Sequence, residues 1–491
     1  MQLARGQSPI KWAALGLALL LAGCAGHIRH LPEQAQVVIP DQWEIDKQEQ
    51  ESSPEQAVAA QVKAVNSGWL ETFADDDLNK YVAAALARNP DLYASAAQLK
   101  GAIEQVTING SLLWPNMRAS VTDSDIENEV NGVTTDIRTV SGALDISWEA
   151  DVWGKLTQRK KAAAYSAKAQ GELFKAAELS LVANVSRAWY NLVTNKLQLD
   201  LAQQRLDSFQ RTAALIEENY QRGLRSALDV YLSRTDVQLQ ISALSETEFS
   251  YIQSLRAFKS LMGEYPDTEL AFKASLPSIR GTVPGGLPAE LLTRRPDIKA
   301  SQLFYQSTVA NAKAARRDRF PSLNFNGSIG DSRDSFNQLF DNNNMVVSLL
   351  SSLTQPLFQA GALRSREDQA VYQAEEAYAQ LVRTTLNAFE EVENSLSRES
   401  LLVDQHHAIK EAVNFAQGGL DLALDRYQSG IENYTTVLES QRRLFDSMRT
   451  ELNIRNALLQ NRIGIHLALG GDFVSSDNRD PTADLPDIIA D

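Results

Sequence analysis

From Asp77 to Leu113, apolar residues recur at three- and four-residue steps: Leu78, Val82, Ala85, Leu86, Leu92, Ala96, Leu99 and Ile103 line one helical face. Trp114-Pro115 closes that stretch, and the period then drops to two. Val140, Gly142, Leu144, Ile146 and Trp148 alternate with Ser141, Ala143, Asp145 and Ser147, which predicts a strand with one apolar and one polar face. Its partner, from about Asn116 to Ile126, alternates more weakly through Met117, Ala119 and Val121, and the polar stretch Glu127 to Asp136, with Asn131-Gly132, reads as the loop between them. Beyond the hairpin the helical period returns. Leu192, Asn195, Leu199, Ala202, Leu206, Phe209, Ala213, Ile216 and Tyr220 keep a strict 3-4 alternation, the heptad of coiled-coil packing. With its upstream part, 157–221, this helix would be about 65 residues and about 95–100 Å long. Gly223 supplies its stop, and a shorter return helix is expected over 227–262.

The same order then recurs. Asn89-Pro90-Asp91 returns as Arg295-Pro296-Asp297 and Trp114-Pro115 as Phe320-Pro321, both 206 positions later. Asn219 to Leu224 returns as Arg426 to Ile431, and Leu261-Met262-Gly263 as Ala468-Leu469-Gly470, at an offset of 207. A nearly constant offset marks a duplicated structural unit. Residues 76–272 form repeat one: helix 77–113, hairpin 116–148, long helix 157–221 and return helix 227–262. A linker, 273–287, leads to repeat two over 288–472: helix 288–318, hairpin 322–354, long helix 361–428 and return helix 435–469. Leu323, Phe325, Gly327 and Ile329 alternate in its first strand, and Met345, Val347, Leu349 and Leu353 in its second, with Asp331 to Asn344 between. Each return helix covers about half of its long partner, so the helices at 77–113 and 288–318 are expected to stack on the returns end to end.

Four strands of about 10 residues suit a tilted membrane-spanning sheet. Gly and Ala on the apolar faces make a poor packed core, while Trp114, Trp148 and Phe320 near strand ends suit an interfacial aromatic belt. Four strands cannot close on themselves, and hydrocarbon tolerates no open sheet edge. The barrel must be shared between chains: two copies would give 8 strands and three would give 12, a choice that spacing leaves open.

Composition narrows the class. Acidic residues exceed basic ones, 62 to 47, which argues against nucleic acid as a partner. The single cysteine, Cys24, excludes an intrachain disulfide and any cysteine-based zinc site. Arg5 and Lys11 precede an apolar run, Trp12 to Ala22, too short to be a permanent span and shaped like a secretory signal over 1–23. Its end, Leu21-Ala22-Gly23-Cys24, resembles the bacterial lipobox. That resemblance implies cleavage before Cys24, with S-diacylglycerol and an N-acyl chain as the covalent lipid and no other cofactor. Ala25 and Gly26, rather than an Asp, favour the outer membrane of a Gram-negative cell. Residues 24–75 would be an acylated segment wrapping the equator, and 473–491 a polar tail. No P-loop, dinucleotide motif or Ser-His-Asp order is evident, and adjacent His406-His407 face about 100° apart on a helix, so the chain does not read as an enzyme.

Five blocks resemble the TolC-like outer membrane factors, and the lipobox places the chain nearest the lipoprotein branch used by multidrug pumps. They are Leu144 to Lys155, Arg294 to Ile298, Phe320 to Leu323, Gln355 to Gly361, and, as the fifth, Arg426 to Gly430 with Leu438 to Arg442. The family resemblance implies a homotrimer: a shared 12-stranded β-barrel in outer membrane lipid, continued by a 12-helix α-barrel through the periplasm, mainly α with a membrane β section. It implies a passive exit duct coupled through a periplasmic adaptor to an inner membrane efflux transporter. Alternatives are the outer membrane part of a protein secretion system, or a periplasmic coiled-coil scaffold without a pore. The helix-to-helix turns lie at the end opposite the barrel. By resemblance, Tyr427, Glu432, Thr436, Glu439 and Asp229 match the family's constriction, although Glu432 and Thr436 stand where some members carry Arg and Asp. Carboxylates of Asp229 and Glu439 are expected to form acidic rings there. Gly223, Leu224, Gly430 and Ile431 mark the turns expected to meet the adaptor.

Overall fold

The computed structural model describes residues 43, 68–130, 132–278, 288, 291–339 and 345–471. The signal, Cys24, the tail and most of the 24–75 segment lie outside them. Asp75 opens the first helix, its carboxylate accepting the amides of Asp77 (3.1 Å) and Leu78 (3.0 Å) as an N-cap. The helix expected over 77–113 is in fact two, α1 (Asp76–Arg88) and α2 (Pro90–Ser111). Proline forces the residue before it out of the helical region, and Asn89 is extended at φ −63°, ψ 126°. Repeat two breaks at the same place: Arg295 separates α5 (Leu291–Arg294) from α6 (Pro296–Arg317), so the helix expected from 288 starts late and is interrupted.

These breaks are joints. Asn89 Nδ2 donates to the Leu261 carbonyl at 2.9 Å, and Arg295 Nη1 donates to the Ala468 carbonyl at 3.0 Å. Leu261 and Ala468 end the return helices α4 (Ala227–Leu261) and α8 (Tyr434–Ala468), each 35 residues. Beside each joint a glycine takes positive φ, +72° at Gly263 and +63° at Gly470. A Cβ on Gly263 would lie 2.8 Å from the Arg88 carbonyl oxygen. So α2 stands on α4 and α6 on α8, and each stack runs beside an unbroken long helix. The long helices are α3 (Lys155–Gln221) and α7 (Ala362–Gln428), both 67 residues, about 100 Å. Packed neighbours run α2–α3–α6–α7 in the sheet-side half and α4–α3–α8–α7 in the other, one wall with α4 and α7 as its lateral helices near the tip.

The largest core lies where the stacks meet. Trp189, Tyr190, Leu192, Leu255 and Phe258 pack with Trp69, Phe73, Leu78 and Val82, and Tyr81 stands edge-on to Phe258 at 5.0 Å. The two repeats solve one mid-coil position differently. Repeat one places Leu192 and Leu255, both fully buried, in this core. Repeat two has Glu399 and Arg462 at the positions 207 residues on, also buried and bonded at 3.0 Å, with Asn461 Nδ2 donating to the second carboxylate oxygen at 2.9 Å. Trp43, fully buried, covers the repeat-two core beside Phe389.

Between the helices a four-stranded antiparallel sheet runs in the order β1 (Asn116–Val130), β2 (Val133–Ala150), β3 (Ser322–Arg333), β4 (Val346–Thr354). The loop expected at Glu127–Asp136 is mostly strand. Pairing continues to Val130↔Val133, because Asn131-Gly132 is a two-residue hairpin signal, with Gly132 at φ +79°. The second loop likewise yields Asp331 to Arg333 to β3.

Candidate functional site: open sheet and helical tip

The register assigns the sheet two unlike faces. Directly paired residues share a face, so Met117, Ala119 and Val121 stand beside Ile146, Leu144 and Gly142, then Gly327 and Ile329, then Leu349 and Val347. Trp148 stacks on Phe325 at 5.7 Å on that same face. Arg118, Ser120, Asp145, Ser147, Asn326, Ser328 and Ser348 fall on the opposite face, where Ser328 and Ser348 hydroxyls meet at 2.7 Å. Leu349 is 83% exposed and Met117 63%, although both belong to the apolar face. Among the described residues the outer edges of β1 and β4 pair with no strand. No described helix is long and apolar enough to cross a membrane.

The sheet is bolted to the long helices through Leu144 to Lys155. The Asp151 carboxylate accepts the amides of Leu156 (2.9 Å) and Thr157 (2.7 Å), satisfying the first turn of α3. Trp153 Nε1 donates to the Pro321 carbonyl at 2.7 Å and Arg317 Nη1 to that of Gly154 at 2.7 Å, tying the repeats together at this level.

At the other end the two helix-to-helix turns are copies. Gly223 and Gly430 both sit at φ +75°, and the amides of Leu224 and Ile431 reach back to the carbonyls of Asn219 and Arg426, each at 2.9 Å, as in a Schellman cap. Leu224 and Ile431 are left exposed, and nothing lies within 4 Å of a Cβ built on either glycine. Ser226 and Asn433 then cap the return helices through the amides of Asp229 (3.3 Å) and Thr436 (3.1 Å).

Of the five expected constriction residues, three touch one another's surroundings. Tyr427 is buried among Ile216, Val230, Leu420 and Val437 within the protomer. The Arg225 guanidinium lies 4.1 Å from its ring centre and donates to its carbonyl at 2.8 Å and to that of Glu432 at 3.4 Å. Burial pushes the Tyr427 phenol up, Arg225 opposes the rise and Asp229 adds to it. Glu432 accepts from Thr436 Oγ1 at 3.1 Å and pairs with Arg426 at 3.7 Å. Asp229 is half-buried at the start of α4, and Glu439 is exposed along a groove between α7 and α8 lined by Phe415, Gly419, Thr436 and Arg443.

A second cluster escaped the sequence reading. The buried Asp236 carboxylate, on α4, accepts from Tyr434 Oη at 2.9 Å and Arg442 Nη2 at 3.1 Å, both on α8. Burial, reinforced by Asp236, raises the Tyr434 phenol well above its ordinary range. Gln441 Nε2 bridges to Thr212 Oγ1 at 2.9 Å on α3. A carboxylate falling among Val230, Ser233 and Val237 on the inner stripe of α4 was the available signal. Arg225 and Asp236 together fasten the first hairpin to the second.

Comparison with known proteins gives one answer throughout. The cation efflux system protein CusC of Escherichia coli K12 is 26% identical over 467 residues, covering 94% of this chain and all of CusC. The pyoverdine export outer membrane protein OpmQ of Pseudomonas aeruginosa is 28% identical over 423 residues, 83% of this chain and 88% of OpmQ. Among solved structures, the outer membrane channel CmeC of Campylobacter jejuni superposes with a TM-score of 0.81 at 20% identity over 94% of this chain and 98% of CmeC. The family model for outer membrane efflux proteins matches residues 82–264 and 287–471, one stretch per repeat, and the chain belongs to the outer membrane efflux protein family.

Proposed function

We propose that this chain is one third of an outer membrane exit duct, conducting substrates passively from an inner membrane transporter and its periplasmic adaptor to the cell exterior. The observation that carries this reading is the open four-stranded sheet with an outward apolar face, continued by helices about 100 Å long. Two unpaired edges in hydrocarbon cost several kcal/mol per unsatisfied group, so identical neighbours seal them; three copies give 12 strands and a 12-helix wall. Cys24 is the acylation site that ties the duct to the membrane. At the periplasmic end, Asp229 and Glu439 form acidic rings that constrict the mouth, with Tyr427, Glu432 and Thr436 supporting the turns, while Gly223, Leu224, Gly430 and Ile431 are the adaptor contacts. The polar inner face and the absence of need for recognition make cargo the transporter's choice. The test is reconstitution of purified protein in planar bilayers with its mass measured in detergent. A trimer that adds discrete conductance steps supports the duct. A stable monomer, released from membranes by mild washing and electrically silent, refutes it.

A further inference from the structure

The lateral helices of the lower wall, α4 and α7, each carry an apolar stripe that no described residue of the protomer covers. On α7 it comprises Leu401, Ala408, Phe415 and Leu422, spaced by seven; all four are exposed, Phe415 by 77%. On α4 it comprises Leu228, Leu232, Leu239 and Phe249, each exposed, with Thr235, Ser242 and Glu246 filling the intervening heptad positions. Both stripes lie off the contact face of their own coils, with Phe415 at the rim of the groove between α7 and α8. Leu422 lies two residues, about 200° around the helix, beyond Leu420, which is buried in the protomer; Leu232 is related in the same way to buried Val230.

We propose that these stripes mate across the protomer boundary as an antiparallel coiled-coil seam, Leu422 against Leu232 and Phe415 against Leu239 of the next copy. The inference deepens the trimeric duct above and rests on it. The turns fix the level: Arg225 bonds both Tyr427 and Glu432, so α4 starts where α7 ends. At 1.5 Å per residue, Leu422 and Leu232 both lie about 8–9 Å from the tip, and Phe415 and Leu239 about 18–20 Å. A threefold axis preserves those levels. Charges within and beside the stripes agree in the same register. Arg234 faces Asp421 at about 10 Å from the helix ends, and Glu246 faces Lys410 at about 28 Å. Arg234 also meets Glu217 at 2.8 Å in its own protomer, so Glu246 and Lys410 are the cleaner pair. A one-heptad slip would move every match by about 10 Å.

Paired cysteines test this, since Cys24 is the chain's only native cysteine. Leu239→Cys with Phe415→Cys, and Leu232→Cys with Leu422→Cys, should oxidise to covalent dimers and trimers, because a disulfide needs Cα atoms within about 7 Å. Leu239→Cys with Leu401→Cys, about 20 Å out of level, is the offset control and should cross-link at least tenfold less. Glu246→Lys should lower the yield of heat-resistant trimer, and adding Lys410→Glu should restore it. A trimer that cross-links no better at the matched pairs than at the offset pair overturns the seam and leaves the duct intact. A chain that stays monomeric overturns both.

Discussion

The mid-coil difference between the repeats defines a substitution experiment whose reference is built into the chain. Glu399 and Arg462 are buried and bonded to each other, while the equivalent positions of repeat one hold Leu192 and Leu255. Replacing one partner leaves a bare charge in a space that water does not reach, which costs about 3–5 kcal/mol. Replacing both with leucine removes two desolvation penalties together and lands between neutral and about 4 kcal/mol stabilising. One side effect is small. Asn461 loses the carboxylate, but its amide keeps the bond it donates to the Ser395 carbonyl at 2.9 Å, so one of its two N–H donors stays paired. The expected order in thermal unfolding of detergent-solubilised protein is therefore Glu399→Leu and Arg462→Leu below wild type, and the double variant at or above it. Circular dichroism at 222 nm follows the helices directly. A double variant as unstable as either single would refute the idea that repeat one's solution transfers. Single variants that melt like wild type would refute the burial argument itself.

His466 adds a pH dependence, because burial beside Arg462 and Trp69 pushes its pKa down from 6.5 to about 4. The unfolded chain binds the proton more tightly, so this group's contribution is full above pH 6.5 and declines to pH 4, about 3 kcal/mol in total; His466→Phe should flatten the melting profile across that window, and an unchanged slope would dismiss it. Gly263→Ala forces a side chain onto a positive φ and within 2.8 Å of the Arg88 carbonyl, so a loss of about 1–3 kcal/mol is expected in the same melt. In planar bilayers, Asp229→Ala and Glu439→Ala should each raise conductance if the acidic rings narrow the mouth; closure unchanged in both variants ends that assignment.

The parts of the fold governed by periodicity were readable in advance. Heptads and a terminal glycine gave each long helix to within a few residues, and the 207-residue offset recovers the equality of the two halves. Local backbone chemistry was harder. Pro90 and Pro296 lie inside otherwise helical patterns, and their effect on Asn89 and Arg295 became visible only where those side chains bond the ends of α4 and α8. Asn131-Gly132 was read as part of a polar loop because acidic residues surround it, yet main-chain pairing is indifferent to such side chains at an exposed tip. At the constriction, resemblance picked out Tyr427, whose side chain lies inside the protomer. The cross-hairpin bonds of Arg225 and Asp236 join residues about 200 positions apart, a relation no local pattern encodes.

The bare margins of β1 and β4 matter before the duct exists. On the proposed reading, a protomer on its way to the outer membrane carries two rows of unsatisfied amides and carbonyls flanking an oily ribbon, all in an aqueous compartment. Such borders recruit any extended peptide they meet, including a misaligned sibling. Travel to the membrane therefore calls for an escort that shields the ribbon, and overproduction should jam first at that stage, as clumped single chains rather than as leaky pores.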